Sequence, residues 1–593
     1  MNSFTNQRCV FEANSPRQNH QPIKRPQLWA KLPYELRVMI LEDIAFLEMA
    51  DGRLEPIAAC AAVSREWQRF FERVTFGSLE LHQGDLDNLE RYVSARPHRI
   101  AHLQWVHLRL VLSRYDCRRC GKPEHAVERR GNNLILAQAL TKLFRIMAAW
   151  GGDHRTGRRW PLELELSAHS PSDWEHHFKS LRCHANYDQW GPRKAPRLDP
   201  ADFDDADHGW VSCKRSRGAT EGECLRVLGA GLEIEGWIPS GNDPPLAAPT
   251  VPIVRSFLIR RQFYRRFEAV GCLDRILEAL PNLTTFRYER WRPIPLASGE
   301  DTRRQIDHYR ELLHLISERP KITRVSIYED CDDFNRMMRT PRGRALPPRP
   351  RDPYLGPLLA SASRHWKKAY LSFMVDAADF FHEFWSETAA AAPLPPPPQW
   401  ENLTDLYLTS DQLHPRRNME GLLNAAARAA MAMPKLNRLA LWTAKEGRAC
   451  AFRYSITRFG ERPGITLAST WHARLSPQTR RLWERVTGRR QSRYPLWVQY
   501  FDLRSDDMGS HGSGLPLLCS NSVAASSSQR QMISNALETT DLVRNLGTFV
   551  AGYEWVLYVD TRPAHRDDTG DDVFDAKFLL QTKKITSPCF QAT

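Results

Sequence analysis

The chain has 593 residues, 42% of them hydrophobic and 26% charged, a balance that supports a packed interior and excludes disorder along its whole length. No run approaches the roughly 18–20 apolar residues of a membrane-spanning helix. The N-terminal stretch MNSFTNQRCVFEANSPRQNH is polar, so neither insertion nor secretion is expected. The 12 scattered cysteines then read as reduced thiols, and the expected location is cytoplasmic, nuclear or both. The 83 basic residues outweigh 69 acidic ones to leave +14, which raises a nucleic-acid partner that only the distribution of the charge can decide.

In chain order, residues 1–27 are polar, carry three prolines and predict a disordered arm. From Gln27 the sequence QLWAKLPYELRVMILEDIAFLEM places Leu32, Leu36, Met39, Ile40 and Ile44 at helical spacing, with Pro33 near the helix start. Gly52 breaks this run, and a second stripe follows through Leu54, Ile57, Ala58, Ala61, Val63, Trp67, Phe70 and Phe71. A helical unit of this size, residues 28–75, has more apolar surface than it can bury in itself, which predicts a partner.

From residue 76 to 505 the texture becomes mixed α and β. FGSLELHQ and RIAHLQWVHLRLVL predict strands, followed by a helix over LILAQALTKLFRIMAAW and a strand at LELELSA. Four segments share the form Leu/Ile-x-x-apolar-x-apolar: residues 280–290, 319–330, 401–410 and 433–443, with a weaker copy at 366–376. Helices are predicted before three of them, over GCLDRILEAL, DHYRELLHLISE and MEGLLNAAARAAMA. The expected fold class is therefore α/β or α+β: a small helical module, then an irregular leucine-rich-repeat-like strand–helix array whose units close their cores only by stacking. An ordinary α/β domain with similar strands is the alternative. Residues 190–222, 339–353 and 392–398 read as loops, the last two as proline-rich spacers, and 506–593 as a Ser-rich linker and a tail of uncertain order.

Arg supplies 68 of the basic residues and Lys 15. The densest cluster, Arg255, Arg260, Arg261, Arg265 and Arg266, is interleaved with Phe257, Phe263, Tyr264 and Phe267, a pattern that single-stranded nucleic acid or phosphate binding could use. The plainer reading sends the aromatics to the core and lets the arginines snorkel. A second cluster, Arg480, Arg481, Arg485, Arg489, Arg490 and Arg493, fits a solvated helix face, and nucleic acid is not the expected partner.

Catalytic signatures are missing: there is no G-x-S-x-G, phosphate-cradling loop or dinucleotide fingerprint, so no enzyme activity and no cofactor are expected. Cys117-x-x-Cys120 with His125 is half of a zinc site and is the only metal candidate, one that Cys183 and His184 could complete only through the fold. His176 and His177 are adjacent, so on a helix they point about 100° apart and cannot chelate one ion as an i, i+4 pair does.

Leu32-Pro33-x-Glu35-Leu36, then Ile40-Leu41, then Val63-Ser64-Arg65-Glu66-Trp67 resembles the F-box, the helical module that docks onto the linker subunit of SCF ubiquitin ligases. The connection between its helices, FLEMADGR, is a few residues longer than the family pattern. The stretch from about 28 to 505 is also similar to a group of large filamentous-fungal F-box proteins, through YDC-x-x-C near 115–120, MPKLNRLALW, ACAFRYSI and ITLASTWHARL. The resemblance implies a non-catalytic substrate receptor. Leu32, Pro33, Leu36, Ile40, Leu41, Val63 and Trp67 would meet the linker subunit and, through it, cullin, with Glu35 and Arg65 at the rim or as internal caps. The array would hold an unnamed protein substrate. A scaffold acting outside the ligase, or a nucleic-acid binder using the 255–267 arginines, are the alternatives.

Overall fold

The computed structural model describes residues 28–50, 54–151, 161–179, 181, 204–211, 214–235, 249–292, 300–330, 352, 354–385, 399–456, 463–489, 494–518 and several between 520 and 532, with strand backbone at 553–566 and 572–584. The N-terminal arm, the segment around Gly52, nearly all of 339–353, the whole of 392–398, and Cys183, His184, Arg490 and Arg493 lie outside the described residues.

The chain begins with four helices, α1 (Leu28–Lys31), α2 (Tyr34–Ala50), α3 (Leu54–Cys60) and α4 (Arg65–Thr75). Pro33 sits just before α2, its carbonyl accepting the Arg37 amide at 3.1 Å. Ser64 caps α4 by accepting the Trp67 amide, which satisfies an otherwise unpaired donor of the first turn. Leu41, Ala45, Ile57, Phe70 and Phe71 form the core of this unit, with Trp29, Val38, Ile44 and Trp67 packed around it.

A single mixed α/β body follows, built on one large, mostly parallel sheet of fourteen strands. Its first twelve strands lie side by side in chain order: β1 (Ser78–Leu81), β2 (Trp105–Val111), β3 (Leu162–His169), β4 (Val254–Ile259), β5 (Thr285–Trp291), β6 (Arg324–Asp330), β7 (Lys368–Asp376), β8 (Asp405–Thr409), β9 (Arg438–Lys445), β10 (Arg448–Ile456), β11 (Pro463–Ser469) and β12 (Trp497–Leu503). Neighbours from β1 to β9 are all parallel. β10 reverses direction between β9 and β11, entered through the two-residue turn Glu446-Gly447, where Gly447 has φ +72°. That left-handed conformation suits a residue without Cβ. Parallel pairing resumes at β11 and β12, and the hairpin β13 (Tyr553–Arg566) and β14 (Asp572–Lys584) adds to the far edge through β14. All five sequence copies are strands, β5 to β9.

Parallel neighbours need crossovers, and helices supply them. The predicted ones are seen at α7 (Ala126–Ala149), α10 (Asp274–Ala279), α11 (Glu300–Ser317) and α13 (Met419–Met431), and two more helices are α9 (Glu221–Leu228) and α12 (Leu355–Ala362). Part of RIAHLQ is also helical, as α5 (Pro97–His102), because Pro97 starts a turn before the strand begins. Alternation along the strands sends Val325 and Ile327, Ala369 and Leu371, Leu406 and Leu408, and Leu439 and Leu441 into one continuous core with these helices. In α13 the run of buried alanines, Ala425, Ala426, Ala427, Ala429 and Ala430, lets backbone approach backbone closely.

The opposite face is also covered. Tyr328, Tyr370, Tyr407, Ala440 and Trp442 form a second core with Met508, Leu515, Leu518, Val523, Ala524 and Met532. The described residues between 505 and 532 therefore continue the fold: they lie across the second half of the sheet, and Ser326 Oγ donates to the carbonyls of Ser522 and Val523 at 3.1 and 3.0 Å. Phe373, at φ +62° beside a register shift against β8, turns its ring onto His511 of this segment at 4.0 Å. At the first half of the sheet a third cluster joins Phe178, Leu181, Cys224, Val227 and Leu228 to Phe263, Tyr264 and Trp291. Among the described residues no helix is long and apolar enough to cross a membrane.

Candidate functional site

The helical unit carries apolar side chains that its own core does not use. Leu36, Met39 and Ile40 on α2 are 45%, 57% and 38% exposed, and Val63, just before the α4 cap, is 62% exposed. Leu36, Ile40 and Leu47 recur along one stripe of α2, while Leu41 and Ala45 on its other side are buried. The sequence-predicted contact residues thus divide. Pro33, Glu35, Leu36, Ile40, Val63 and Arg65 are exposed and Leu32 is half-buried. Leu41 is buried in the unit's core, and Trp67 packs at a tilt between Trp29 and Phe71 at 5.6 Å from each, so these two hold the unit together. Glu66 fastens the helix ends: its carboxylate accepts the Trp29 indole N–H and the Arg37 guanidinium, each at 2.9 Å.

One buried carboxylate joins this unit to the sheet. Glu72 of α4 accepts Arg99 of α5 at 2.6 Å and Gln68 at 3.1 Å, and meets His98 at 2.9 Å. Burial alone would raise its pKa, but the hydrogen bonds from Arg99, Gln68 and His98 outweigh that and hold it down at about 2.

The 255–267 arginines are not a polyanion-binding surface. Arg260, Arg261, Arg265 and Arg266 are all buried, Arg261 completely, and only Arg255 is partly open. Arg260 pairs with Glu165 at 2.7 Å and Arg261 with Asp330 at 2.6 Å; Arg266 donates to the Gly229 carbonyl. Arg265 bridges Asp173 at 3.0 Å and Glu124 at 2.6 Å. Burial would lower its pKa, yet Asp173 and Glu124 hold it above the ordinary value. Glu165 is pushed up to about 7 by complete burial, against the pull of Arg260. Buried cations of this kind survive because Arg260, Arg261 and Arg265 meet carboxylates and Arg266 a carbonyl, and a water-excluded guanidinium so engaged cannot neutralise a phosphate. The expected snorkelling fails for the same reason: the heads go inside with the aromatics.

The fold also assembles a cluster that the sequence shows only in part. Cys117 and Cys120 occupy one turn, α6 (Cys117–Cys120). They are joined not by His125 but by His176, one residue past α8 (Pro171–Glu175), and by His208, which ends a short turn capped by Asp205. One ligand-type atom from each of these four side chains lies within 4.8 Å of all the others. His208 Nε2 is 3.1 Å from Cys117 Sγ, 3.7 Å from Cys120 Sγ and 3.2 Å from His176 Nδ1. Asp205 Oδ2 accepts the other ring nitrogen of His208 at 2.7 Å and is itself paired with Lys179 at 3.0 Å. Burial and the Cys117 sulfur push the Cys120 thiol up to about 11. His125 is exposed and serves as the N-cap of α7, accepting the Val127 amide at 3.3 Å. His177, beside His176, meets Glu223 at 3.3 Å and sets its ring edge-on to His208 at 4.8 Å, outside the four-residue group. Adjacency therefore excluded a joint role for the two histidines without excluding His176 alone. No spacing pointed to His208, which is separated from Cys117 by 91 positions.

Comparison with known proteins adds one match. Residues 317–523 are similar to a family of unknown function, DUF6546. The matched stretch runs from the end of α11 through β12 and into the segment laid across the sheet's second face. No curated protein and no solved structure matches the chain.

Proposed function

We propose that the chain is the substrate receptor of an SCF-type ubiquitin ligase: residues 28–75 are an F-box that docks on the linker subunit, and the strand–helix body is a leucine-rich-repeat-like array that holds a protein target. The observation that carries this reading is the exposed apolar set Leu36, Met39, Ile40 and Val63 on a helical unit whose own core is already closed by Leu41, Ala45, Ile57, Phe70 and Phe71. Apolar side chains left outside a finished core mark a partner's footprint, and Leu36, Ile40 and Val63 are among the positions that the F-box pattern assigns to its adaptor, with Met39 beside them. Twelve strands in chain order with helices on one face support the array reading. The other face is covered by the chain's own segments, so a target would meet those segments and the loops beside them, not bare strand side chains.

The mechanism is recruitment. An interface of standard size, about 1,200–2,000 Å² in total, would fix the receptor on the ligase. A target held by the array would then have a raised effective concentration near the ubiquitin-charged subunit, which supplies the chemistry. Glu35 in the first turn of α2 and the Ser64 cap of α4 keep the two helix starts in place beneath the apolar footprint.

The test is co-purification of the full chain with the linker subunit and cullin. The double substitution Leu36→Glu with Ile40→Glu alters exposed positions only and is expected to abolish capture while circular dichroism stays unchanged. Truncating a central interface anchor costs about 2 kcal/mol or more, and a buried charge costs further. Undiminished capture of both subunits would overturn the reading. Absence of cullin from the wild-type complex, with the linker subunit retained, would favour a scaffold working outside the ligase.

A further inference from the structure

We propose that Cys117, Cys120, His176 and His208 bind one structural zinc ion. The argument starts from donor chemistry. Two thiols and two imidazoles are the borderline-soft set that zinc takes in closed four-coordinate sites. A tetrahedron with zinc–sulfur bonds of about 2.3 Å and zinc–nitrogen bonds of about 2.0 Å has edges of about 3.8 Å between sulfurs, about 3.5 Å from sulfur to nitrogen and about 3.3 Å between nitrogens. The observed separations from His208 Nε2, 3.1 and 3.7 Å to the sulfurs and 3.2 Å to His176 Nδ1, are within a few tenths of an ångström of those edges.

The surroundings are those of a ligand set. Asp205 accepts the Nδ1–H of His208 at 2.7 Å, which fixes the tautomer that leaves Nε2 free to coordinate. Lys179 in turn holds Asp205 at 3.0 Å. The His176 ring stacks on Tyr115 at 5.5 Å, which sets its plane. Tyr115 donates its hydroxyl to Asp173 at 3.0 Å, the same carboxylate that holds Arg265. The cluster is thus braced from the buried ionic layer below it.

The ion also answers a local need. The described turn at 204–211 buries one large apolar side chain, Trp210, so hydrophobic burial holds it at few points. Zinc would tie α6, the end of α8 and the Asp205–His208 turn together, closing a span of 91 positions between Cys117 and His208. With four protein ligands and no open position the role is structural, not catalytic.

The test is the zinc content of the full-length protein, purified without chelator and desalted, by elemental analysis. One zinc per chain is expected in the wild type and in His125→Ala, and none in Cys117→Ser or His208→Asn. Zinc absent from the wild type even after reconstitution with the ion, or undiminished in Cys117→Ser, would overturn the proposal. If the substituted chains do not fold, cobalt replaces zinc in the wild type. A thiolate-to-cobalt charge-transfer band with strong tetrahedral d–d absorption is expected, and their absence would refute the site. The reading does not depend on the ligase proposal, because adaptor capture and metal content are measured separately.

Discussion

Glu72→Gln tests how the helical unit is held on the sheet. The substitution keeps the side chain's shape and removes its charge, leaving the Arg99 guanidinium, which contacts Glu72 at 2.6 Å and lies 4.4 Å over the Phe76 ring, without its counter-ion. A hydrogen bond to a charged group contributes roughly 1.5–3 kcal/mol, and Gln retains part of the bonding through its carbonyl, so a net loss of about 2–3 kcal/mol is expected. The loss should fall on the junction and not on the sheet. Hydrogen exchange at neutral pH should then show amides in α4 and α5 opening roughly 30- to 150-fold more readily, with β5 to β9 unchanged. The acid dependence has a definite sign. The Glu72 carboxyl is depressed from 4.5 to about 2 in the folded state, so its contribution is present above about pH 4.5 and fades as pH falls toward 2. The wild-type junction should loosen across that window, and Glu72→Gln should be loose at both ends of it. Wild-type protection of α4 in Glu72→Gln at neutral pH would refute the reasoning.

Three further outcomes follow from the packing. Arg265→Met should cost about 3–5 kcal/mol in denaturant unfolding, because it strands Asp173 and Glu124 in a buried site, and the double change with Asp173→Asn should cost less than the single one. A single-substitution effect within 1 kcal/mol would show that this layer is not buried as described. Gly514→Ala should destabilise by about 1–3 kcal/mol, since an added Cβ would come within 2.6 Å of the Ala444 Cβ and 3.1 Å of the Trp442 ring; an unchanged melting temperature would count against the covering segment. Ending the chain at Arg504 should uncover Tyr328, Tyr370, Tyr407 and Trp442 and give a species that binds a hydrophobic dye and aggregates, whereas a stable, dye-silent monomer would show that residues past 505 are dispensable.

Much of the local structure was legible because it rests on local rules. The period of apolar residues marked α2, α4, α7 and α13, while the cap at Ser64 emerged only in the structure. The repeated Leu/Ile-x-x-apolar-x-apolar form marked β5 to β9, since alternation is a property of each strand alone. What these signals could not convey is which face another part of the chain would cover. Leu41 and Ile40 are neighbours in one motif, yet helical geometry sends the first inward and leaves the second exposed.

The largest departures come from partners distant in sequence. An arginine cluster looks the same in sequence whether it faces water or carboxylates, and only the arrival of Glu124, Asp173, Glu165 and Asp330 from other elements turns it into an interior layer. The Ser-rich stretch after 505 looks like a linker because small residues carry little hydrophobic signal, but small residues are what fit closely against Trp442 and the tyrosines of the sheet. Half of the four-residue cysteine–histidine cluster was visible at Cys117 and Cys120; His176 and His208 joined it through the fold, which sequence spacing does not encode. The sequence alone thus determined most of the long helices and the strands, each a matter of neighbours along the chain. The tertiary structure decided which charges are buried, which faces are closed and which four side chains meet, each a matter of neighbours in space.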